Sequence, residues 1–150
     1  MIALASDHLG IGLKKEISAL LDEMGIPYKD YGAFAAESCD YPVLAARACR
    51  AVHAGECERG ILICGTGVGI ALAANKMPGI RCVMCSEPYS AVYSRLHNDT
   101  NMLALGARVV GSEVAKMIAR MWLTTDFEGG ERHRRRVEQI TALERGEEIE

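Results

Sequence analysis

The sequence predicts an α/β fold in which one parallel sheet carries helices on both faces. Short apolar runs alternate along the chain with longer segments whose apolar residues recur at helical spacing. The run Arg59–Cys64 is almost entirely apolar after its first residue, as expected for a strand covered on both faces. It leads directly into Gly65, Gly67 and Gly69, and this spacing indicates a tight loop followed by a helix.

The first half of the chain contains three predicted strands and two predicted helices. In chain order these are strand Ile2–Ser6, helix Gly10–Met24, strand Pro27–Tyr31, helix Tyr41–Ala54 and strand Arg59–Cys64. The first helix has an apolar stripe that includes Leu13 and Ile17, and Gly25 ends it. The second strand is short and polar, which places it near an edge of the sheet.

The second half continues the alternation and brings the sheet to five strands. The predicted elements are a helix from the glycine loop to about Lys76, strand Arg81–Cys85, helix Pro88–Leu96, strand Met102–Leu105 and helix Ser112–Leu123. A charged helix begins at Glu131 and has only a thin apolar stripe. Two interpretations of this C-terminal helix stay open: it packs on a partner subunit, or it is a solvated terminal helix.

Length and composition indicate one domain over residues 1–150. Apolar residues make up 49% of the chain and charged residues 25%, as in globular proteins. No apolar run approaches the roughly 20 residues that cross a bilayer, and the N-terminus lacks a basic signal region, so we expect no membrane partner. A net charge of −3 disfavours a nucleic-acid partner, and the acidic tail beside residues 132–136 disfavours a local nucleic-acid patch.

Six cysteines occur in a chain without an export signal, so we expect free thiols in a reduced, cytoplasmic protein. Cys82 and Cys85 have the spacing of redox and zinc motifs. They lie in a predicted strand, however, where alternation directs the two thiols to opposite faces, and no second ligand pair stands at zinc spacing. We therefore interpret both as core residues. His53, on an amphipathic helix, is interpreted as a surface or interface residue.

Polar residues that could take part in a reaction follow four of the predicted strands. They are Asp7 and His8 after the first, Cys64–Gly69 after the third, Ser86 and Glu87 after the fourth, and Arg108 after the fifth. Ligands of open parallel sheets bind at the carboxyl ends of the strands. Loop amides favour negative charge, so a thiol beside them suggests carbanion or oxyanion chemistry.

The segment His97–Asn101 belongs to the opposite edge, because it precedes the fifth strand. It is either a helix stop followed by turn residues or a functional loop that a neighbouring subunit brings over the other's site. The second interpretation requires a shared active site at a symmetric interface.

The glycine loop also resembles part of a dinucleotide-binding fingerprint, with Glu87 as a possible ribose-binding acid. Two features disfavour that interpretation. Position 70, where the motif requires its third glycine, is isoleucine, and the loop follows the third strand rather than the first.

Several blocks of the sequence resemble type B ribose-5-phosphate isomerases. They are Ser6–His8, Asp40–Pro42, Gly60–Gly69 with Ala73–Lys76, Cys85–Ala91, His97–Asn101 and Gly106–Gly111. The wider family includes galactose-6-phosphate and allose-6-phosphate isomerases. The resemblance implies a Rossmann-like, three-layer fold with a five-stranded parallel sheet. It also implies a homodimer, possibly a tetramer, with a shared active site, and no metal or organic cofactor.

The resemblance further implies aldose–ketose isomerisation of a sugar phosphate through an enediolate. Ribose 5-phosphate and ribulose 5-phosphate form the expected pair. Two alternatives stay open: a six-carbon substrate such as allose or galactose 6-phosphate, and a sugar-phosphate-binding module without turnover.

Roles for individual residues follow from the resemblance alone. Cys64 would be the base that moves the proton, Thr66 would assist proton transfer, and His97 with Asp40 would open the sugar ring. The remaining substrate-binding residues would be Asp7, His8, Tyr41, Gly65, Gly67, Gly69, Ile70, Asn98, Arg108, Arg132, His133 and Arg136. Some relatives use a glutamate as the base at the position of Ile70. The tail also departs from the pattern, since Glu131 stands where relatives pass directly from glycine to arginine.

Overall fold

A computed structural model describes all residues, 1–150, and has the predicted three-layer architecture. The strands are β1 (Ile2–Ser6), β2 (Tyr28–Asp30), β3 (Arg59–Cys64), β4 (Cys82–Met84) and β5 (Met102–Gly106). The helices are α1 (Ile11–Glu23), α2 (Tyr41–His53), α3 (Val68–Ala74), α4 (Pro88–Asn98), α5 (Ser112–Thr124) and α6 (Glu131–Glu144). The five strands form one all-parallel sheet in the order β2-β1-β3-β5-β4.

Strand register places the carboxyl ends of the three central strands side by side. Ser6 of β1 pairs with Ile63 of β3, and Cys64 of β3 pairs with Gly106 of β5. The segments that follow these strands therefore leave the sheet at nearly the same level. This is the edge at which the sequence predicts the glycine-loop chemistry.

The two faces of the sheet bury different kinds of side chain. One face presents larger residues such as Leu4, Ile63 and Leu105 to α1, α4 and α5, and Trp122 of α5 is fully buried there. The other face presents Ala3, Cys64 and other small residues to α2 and α3. The small residues let those helices approach the sheet closely, so the alternation along each strand determines both layers.

The predicted helices and strands are confirmed, with shifts at their ends. The strand predicted at Pro27–Tyr31 is reduced to Tyr28–Asp30 and is an edge strand, as predicted. The helix predicted to reach Lys76 ends at Ala74, because the Asn75 side chain bonds both the N–H and the carbonyl of Cys82, at 2.8 and 2.9 Å. Helix α4 runs two residues further than predicted, to Asn98.

The cysteines are all free, as predicted. Cys82 packs on the α2/α3 face and Cys85 in the core on the opposite face, which confirms that their thiols diverge. Burial raises the pKa of Cys85 to about 12 and also raises that of Cys82. Both thiols therefore remain protonated near neutral pH. His53 is exposed at the end of α2.

Helix α6 lies against its own chain. It packs beside α4, and the Glu144 carboxylate near its C-terminal end accepts hydrogen bonds from the Gly79 amide at 3.0 and 3.1 Å. Contact with a partner subunit remains a prediction. None of the helices is long and apolar enough to cross a membrane.

The buried Ser6 hydroxyl has no hydrogen-bond partner. We expect Ser6→Ala to leave stability unchanged or raise it by up to about 1 kcal/mol, because the substitution removes an unpaired polar group. The measurement is urea unfolding at fixed protein concentration, with midpoint and slope compared.

Ser94→Ala is the matched control. Ser94 is also buried, but its hydroxyl donates to the Ala91 carbonyl at 2.8 Å and pairs with the Thr100 hydroxyl at 2.9 Å. Its loss should cost about 1–2 kcal/mol. Equal destabilisation by both substitutions would contradict the assignment of Ser6 as unpaired.

Candidate active site

The glycine loop places the thiol of Cys64 against backbone amides. Cys64 ends β3 and keeps 4% of its surface exposed, and its Sγ accepts a hydrogen bond from the Gly67 N–H at 3.1 Å. Gly67 has φ +79°, a left-handed conformation that favours glycine. The Thr66 hydroxyl accepts from the Val68 N–H at 3.2 Å. The loop is thus a tight turn that holds one backbone donor against the Cys64 sulfur.

The turn after β5 holds this loop in position. The Arg108 N–H donates to the Gly65 carbonyl at 3.0 Å, and the Ala107 N–H donates to the Cys64 carbonyl at 2.8 Å. Gly106 lies so close that a Cβ there would stand 2.5 Å from the Thr66 carbonyl oxygen. The exposed Arg108 guanidinium makes no ion pair or hydrogen bond within the chain, so it is free to bind an anion beside the loop.

Asp7 and His8 follow β1 at the same edge. One oxygen of the buried Asp7 carboxylate accepts from the Leu9 and Gly10 amides at 2.9 and 3.2 Å and so caps a 3-10 turn over His8–Gly10. His8 Nδ1 accepts from the Cys39 N–H at 3.3 Å. Asp7 therefore has a structural role at the site. His8 connects the loop that precedes α2 to the end of β1.

Asp40 and Tyr41 begin α2 near the glycine loop. The exposed Asp40 carboxylate makes neither a capping bond nor an ion pair. The Tyr41 ring lies over Gly69, where an added Cβ would stand 2.6 Å from the ring. Ile70 is fully buried, so only its backbone could reach a ligand. Together with the glycine loop, these residues form what we call the loop half-site: Asp7, His8, Asp40, Tyr41, Cys64–Ile70 and Arg108.

A second group, which we call the imidazole cluster, consists of His97, Glu128, Arg132 and His133. The rings of His97 and His133 are stacked, with centroids 4.2 Å apart and planes 9° apart. One Glu128 carboxylate oxygen lies 3.9 Å from Nε2 of His97 and 3.6 Å from Nε2 of His133. Arg132 Nε donates to His133 Nε2 at 3.4 Å.

Burial lowers the pKa of His133, and the positive charges of His97 and Arg132 lower it further, while Glu128 acts in the opposite direction. Arg136, one turn further along α6, is exposed and makes no ion pair within the chain. The cluster therefore combines two imidazoles with exposed guanidinium groups, a combination suited to acid–base work and to binding anions.

Within the segment His97–Asn101, some residues form a structural turn and others are available for a functional role. Asp99, Thr100 and Asn101 are structural: Arg95 binds the Asp99 carboxylate at 2.8 Å, Trp122 Nε1 donates to the Thr100 hydroxyl at 2.9 Å, and Asn101 bonds the Gly79 carbonyl at 2.8 Å. The side chains of His97, half-buried, and Asn98, exposed, make no hydrogen bond to this network. The turn thus presents two polar groups from a rigid base.

The two halves lie at opposite edges of the sheet within one chain. Helix α4 starts after the carboxyl end of β4 and runs back from Pro88 to His97, a rise of roughly 14 Å. A cavity of about 700 Å³ lies at the amino edge; its lining includes Asn98 and Arg81 but not Cys64. One chain therefore does not bring His97, Asn98 or the α6 residues to the cysteine.

Three residues in or beside the imidazole cluster were not predicted from the sequence. Glu128 stands between the two imidazoles, and its position in a Glu-Gly-Gly turn before a basic helix gave no separate signal. Tyr93 meets the edge of the His97 ring at 5.0 Å, and Tyr89 stacks on Tyr93 at 4.3 Å. The spacing of residues 89, 93 and 97 on one helical face could have revealed this stack.

The dinucleotide interpretation loses its ribose-binding acid. The Glu87 carboxylate caps α4 by accepting from the Ser90 N–H at 3.0 and 3.1 Å. Hydrogen bonds from Ser90 also lower the pKa of Glu87. The carboxylate is thus committed to the start of a helix.

Known proteins share the sequence and the fold of this chain. Residues 2–140 match the family described as Ribose/Galactose Isomerase. Ribose-5-phosphate isomerase B of Escherichia coli strain K12 is 58% identical over 143 residues, which cover 95% of each chain.

The chain belongs to the ribose/galactose isomerase family. The structure of Clostridium thermocellum ribose-5-phosphate isomerase B superposes with a TM-score of 0.94 at 49% identity and covers 97% of both chains. The D-erythrulose-4-phosphate isomerase of Pectobacterium atrosepticum is 42% identical over 130 residues, or 86% of each chain. Family membership makes the chain an aldose–ketose isomerase of sugar phosphates and disfavours the non-catalytic binding module.

We expect Gly106→Ala to impair isomerisation beyond its effect on stability. The new Cβ would collide with the Thr66 backbone and displace the loop, and misplacement of about 1 Å can cost on the order of 10²-fold in rate. Steady-state kinetics and urea unfolding measure the two effects separately.

Gly111→Ala is the matched control, since a Cβ at Gly111 meets no atom within 4 Å. It should retain nearly normal turnover. A Gly106→Ala enzyme as active as Gly111→Ala would contradict the tight loop contact.

Proposed function

We propose that the enzyme interconverts ribose 5-phosphate and ribulose 5-phosphate, with Cys64 as the base. The observation that carries this proposal is the Cys64 sulfur, which lies at the end of β3 in the glycine loop and accepts a hydrogen bond from the Gly67 N–H. Isomerisation needs a group that removes a proton from C2 of the aldose and returns one to C1. A single thiolate that stays beside both carbons can do so, because they are adjacent.

The amides of Gly65–Ile70 are proposed to hold the enediolate oxygen. Proton removal from C2 leaves negative charge on the O1 side of the enediolate, and preorganised N–H groups stabilise such charge at little reorganisation cost. Losing one donor of this kind elsewhere costs roughly 3–4 kcal/mol of barrier. The Thr66 hydroxyl lies in the same loop and is proposed to pass protons between the sugar oxygens.

The loop half-site also contains groups for the rest of the sugar. We assign Asp7 and Tyr41 to binding the sugar beside the loop, and His8 and Arg108 to the phosphate. The free Arg108 guanidinium supports the last assignment, because arginine presents paired donors to phosphate oxygens.

The imidazole cluster is proposed to complete this site from a second copy of the chain. His97, with Asp40 of the loop half-site, would open the furanose ring, and Asn98 would position the sugar. Arg132, His133 and Arg136 would add to the phosphate site. Exposed apolar residues around the loop, among them Val43 at 49% and Leu72 at 62% exposure, support a homodimer that covers this surface.

Relatives support a five-carbon substrate. The relatives at 58% and 49% identity are both named ribose-5-phosphate isomerase B, whereas the erythrulose-4-phosphate enzyme stands at 42%. A six-carbon substrate such as allose or galactose 6-phosphate is the second candidate, favoured by the family description. The six free thiols support operation of this domain, residues 1–150, in the reducing cytoplasm.

The test is turnover of four-, five- and six-carbon aldose and ketose phosphates by wild type and Cys64→Ala. We expect the highest kcat/KM with the ribose 5-phosphate pair. Cys64→Ala should lose nearly all turnover on every substrate while it still binds them, because only the proton-transfer group is removed.

Cys49→Ala is the control, since Cys49 is a fully buried thiol of α2 whose pKa burial raises to about 12. It should keep its turnover. A Cys64→Ala enzyme with normal kcat would refute the thiol base, and a preferred four- or six-carbon sugar would refute the substrate assignment.

Mixing two inactive variants tests the shared site. After Cys64→Ala and His97→Asn subunits are unfolded together and refolded, we expect about one quarter of wild-type activity. Half of the dimers are then mixed, and each mixed dimer rebuilds one of its two sites from the intact cysteine and histidine.

Each variant refolded alone serves as the control and should stay inactive. Activity in the mixture no higher than the controls, with mixed dimers demonstrated by a tag on one variant, would place both residues' functions within one subunit.

A further inference from the structure

The imidazole cluster contains three potential metal-ligating atoms in one small volume. One ring nitrogen of His97, one ring nitrogen of His133 and a carboxylate oxygen of Glu128 all lie within 4.8 Å of one another. Two of these separations, 3.9 and 3.6 Å, involve the Glu128 oxygen. Atoms that bind one ion at about 2.0–2.2 Å lie about 3.3–3.6 Å apart in a tetrahedral arrangement. The cluster is therefore close to a metal-binding geometry.

The donor set fits zinc better than other common ions. Two imidazoles and one carboxylate are the ligands of open zinc sites, in which the fourth position is left for water or substrate. Magnesium and calcium prefer sites built from oxygen ligands. Imidazole nitrogen favours zinc and its neighbours in the first transition series.

The three side chains differ in exposure, and the two more exposed ones have room to turn toward the third. His133 is the fixed member, with its side chain only 4% exposed, whereas the side chains of His97 and Glu128 are 36% and 54% exposed. The stacked rings must turn apart for both nitrogens to face one ion, and the more exposed His97 can rotate about its χ2. Arg132 must release Nε2 of His133, and its exposed side chain can swing into solvent.

Positive charge around the cluster sets the limit on affinity. Arg132 and Arg136 lie close enough to lower the pKa of His133 by repulsion and would also repel a cation, while Glu128 supplies the opposing negative charge. This balance makes Glu128 the decisive ligand. Without its carboxylate, the two imidazoles would hold the ion among uncompensated guanidinium groups.

We propose that His97, Glu128 and His133 form a reversible binding site for Zn²⁺. The ion occupies His97 and stands beside the arginines proposed to bind phosphate. Bound zinc therefore excludes the sugar phosphate and inhibits the enzyme, a consequence that rests on the function proposed above. The binding itself does not depend on that function.

The experiment is a calorimetric titration of the full chain with Zn²⁺ alone, comparing wild type with Glu128→Gln and His53→Gln. Glu128→Gln removes the charged ligand and keeps the backbone bond from Glu128 N–H to the Leu96 carbonyl, so the fold should be retained. We expect its Zn²⁺ affinity to fall by about tenfold or more. His53→Gln removes an exposed histidine outside the cluster and should bind like wild type.

Zinc binding of equal strength in wild type and Glu128→Gln would overturn the proposal, since thiols or other groups would then hold the ion. Absence of binding in wild type would also overturn it. Turnover is measured in parallel, with zinc and then with excess chelator. Glu128-dependent binding that leaves turnover unchanged would support the metal site and count against the catalytic role proposed for His97.

Discussion

The close approach of the glycine loop to the end of β5 is the constraint on which the loop half-site depends. Cys64 pairs with Gly106 in the sheet, and the Cys64 and Gly65 carbonyls each accept a bond from the turn that follows β5. Gly106 allows this contact because any Cβ would strike the Thr66 backbone. The sulfur and the donors of the loop are therefore held by the sheet itself. Such rigidity is what preorganised stabilisation of an oxyanion requires.

The opposite edge is rigid for a different reason. Buried Arg95 binds both the Asp99 carboxylate and the Thr100 carbonyl, and Trp122 reaches the Thr100 hydroxyl from the core. Asp99 adopts φ +47°, which ends α4 abruptly. His97 and Asn98 consequently stand on the last turn of a helix whose stop is anchored in the hydrophobic core. Residues of the core thus position two polar side chains, half-buried His97 and exposed Asn98.

The order and type of the helices and strands could be predicted from the sequence, because the two buried faces of the sheet determine which side chains alternate along each strand. The sequence also located the two groups of polar residues at opposite edges, since strand ends are fixed once the order of elements is known. The stacking of His97 on His133 could not be predicted, because it depends on where α6 packs, and its thin apolar stripe left that open. The anchoring of Asp99 and Thr100 by Arg95 was equally invisible, since these contacts join segments through tertiary packing.

The exposed surface around the loop half-site and the imidazole cluster affects how water could be kept out of the proposed reaction. An enediolate must be kept from bulk solvent, and the loop half-site alone is flanked by exposed Tyr41, Val68 and Leu72. Apolar side chains at the rim of a polar site gain free energy when another surface covers them, at roughly 25 cal/mol per Å². A second copy that delivers an imidazole cluster over the loop would bury this rim and exclude water in the same contact. Association and closure of the site would then be one event, so the enzyme would need no mobile lid.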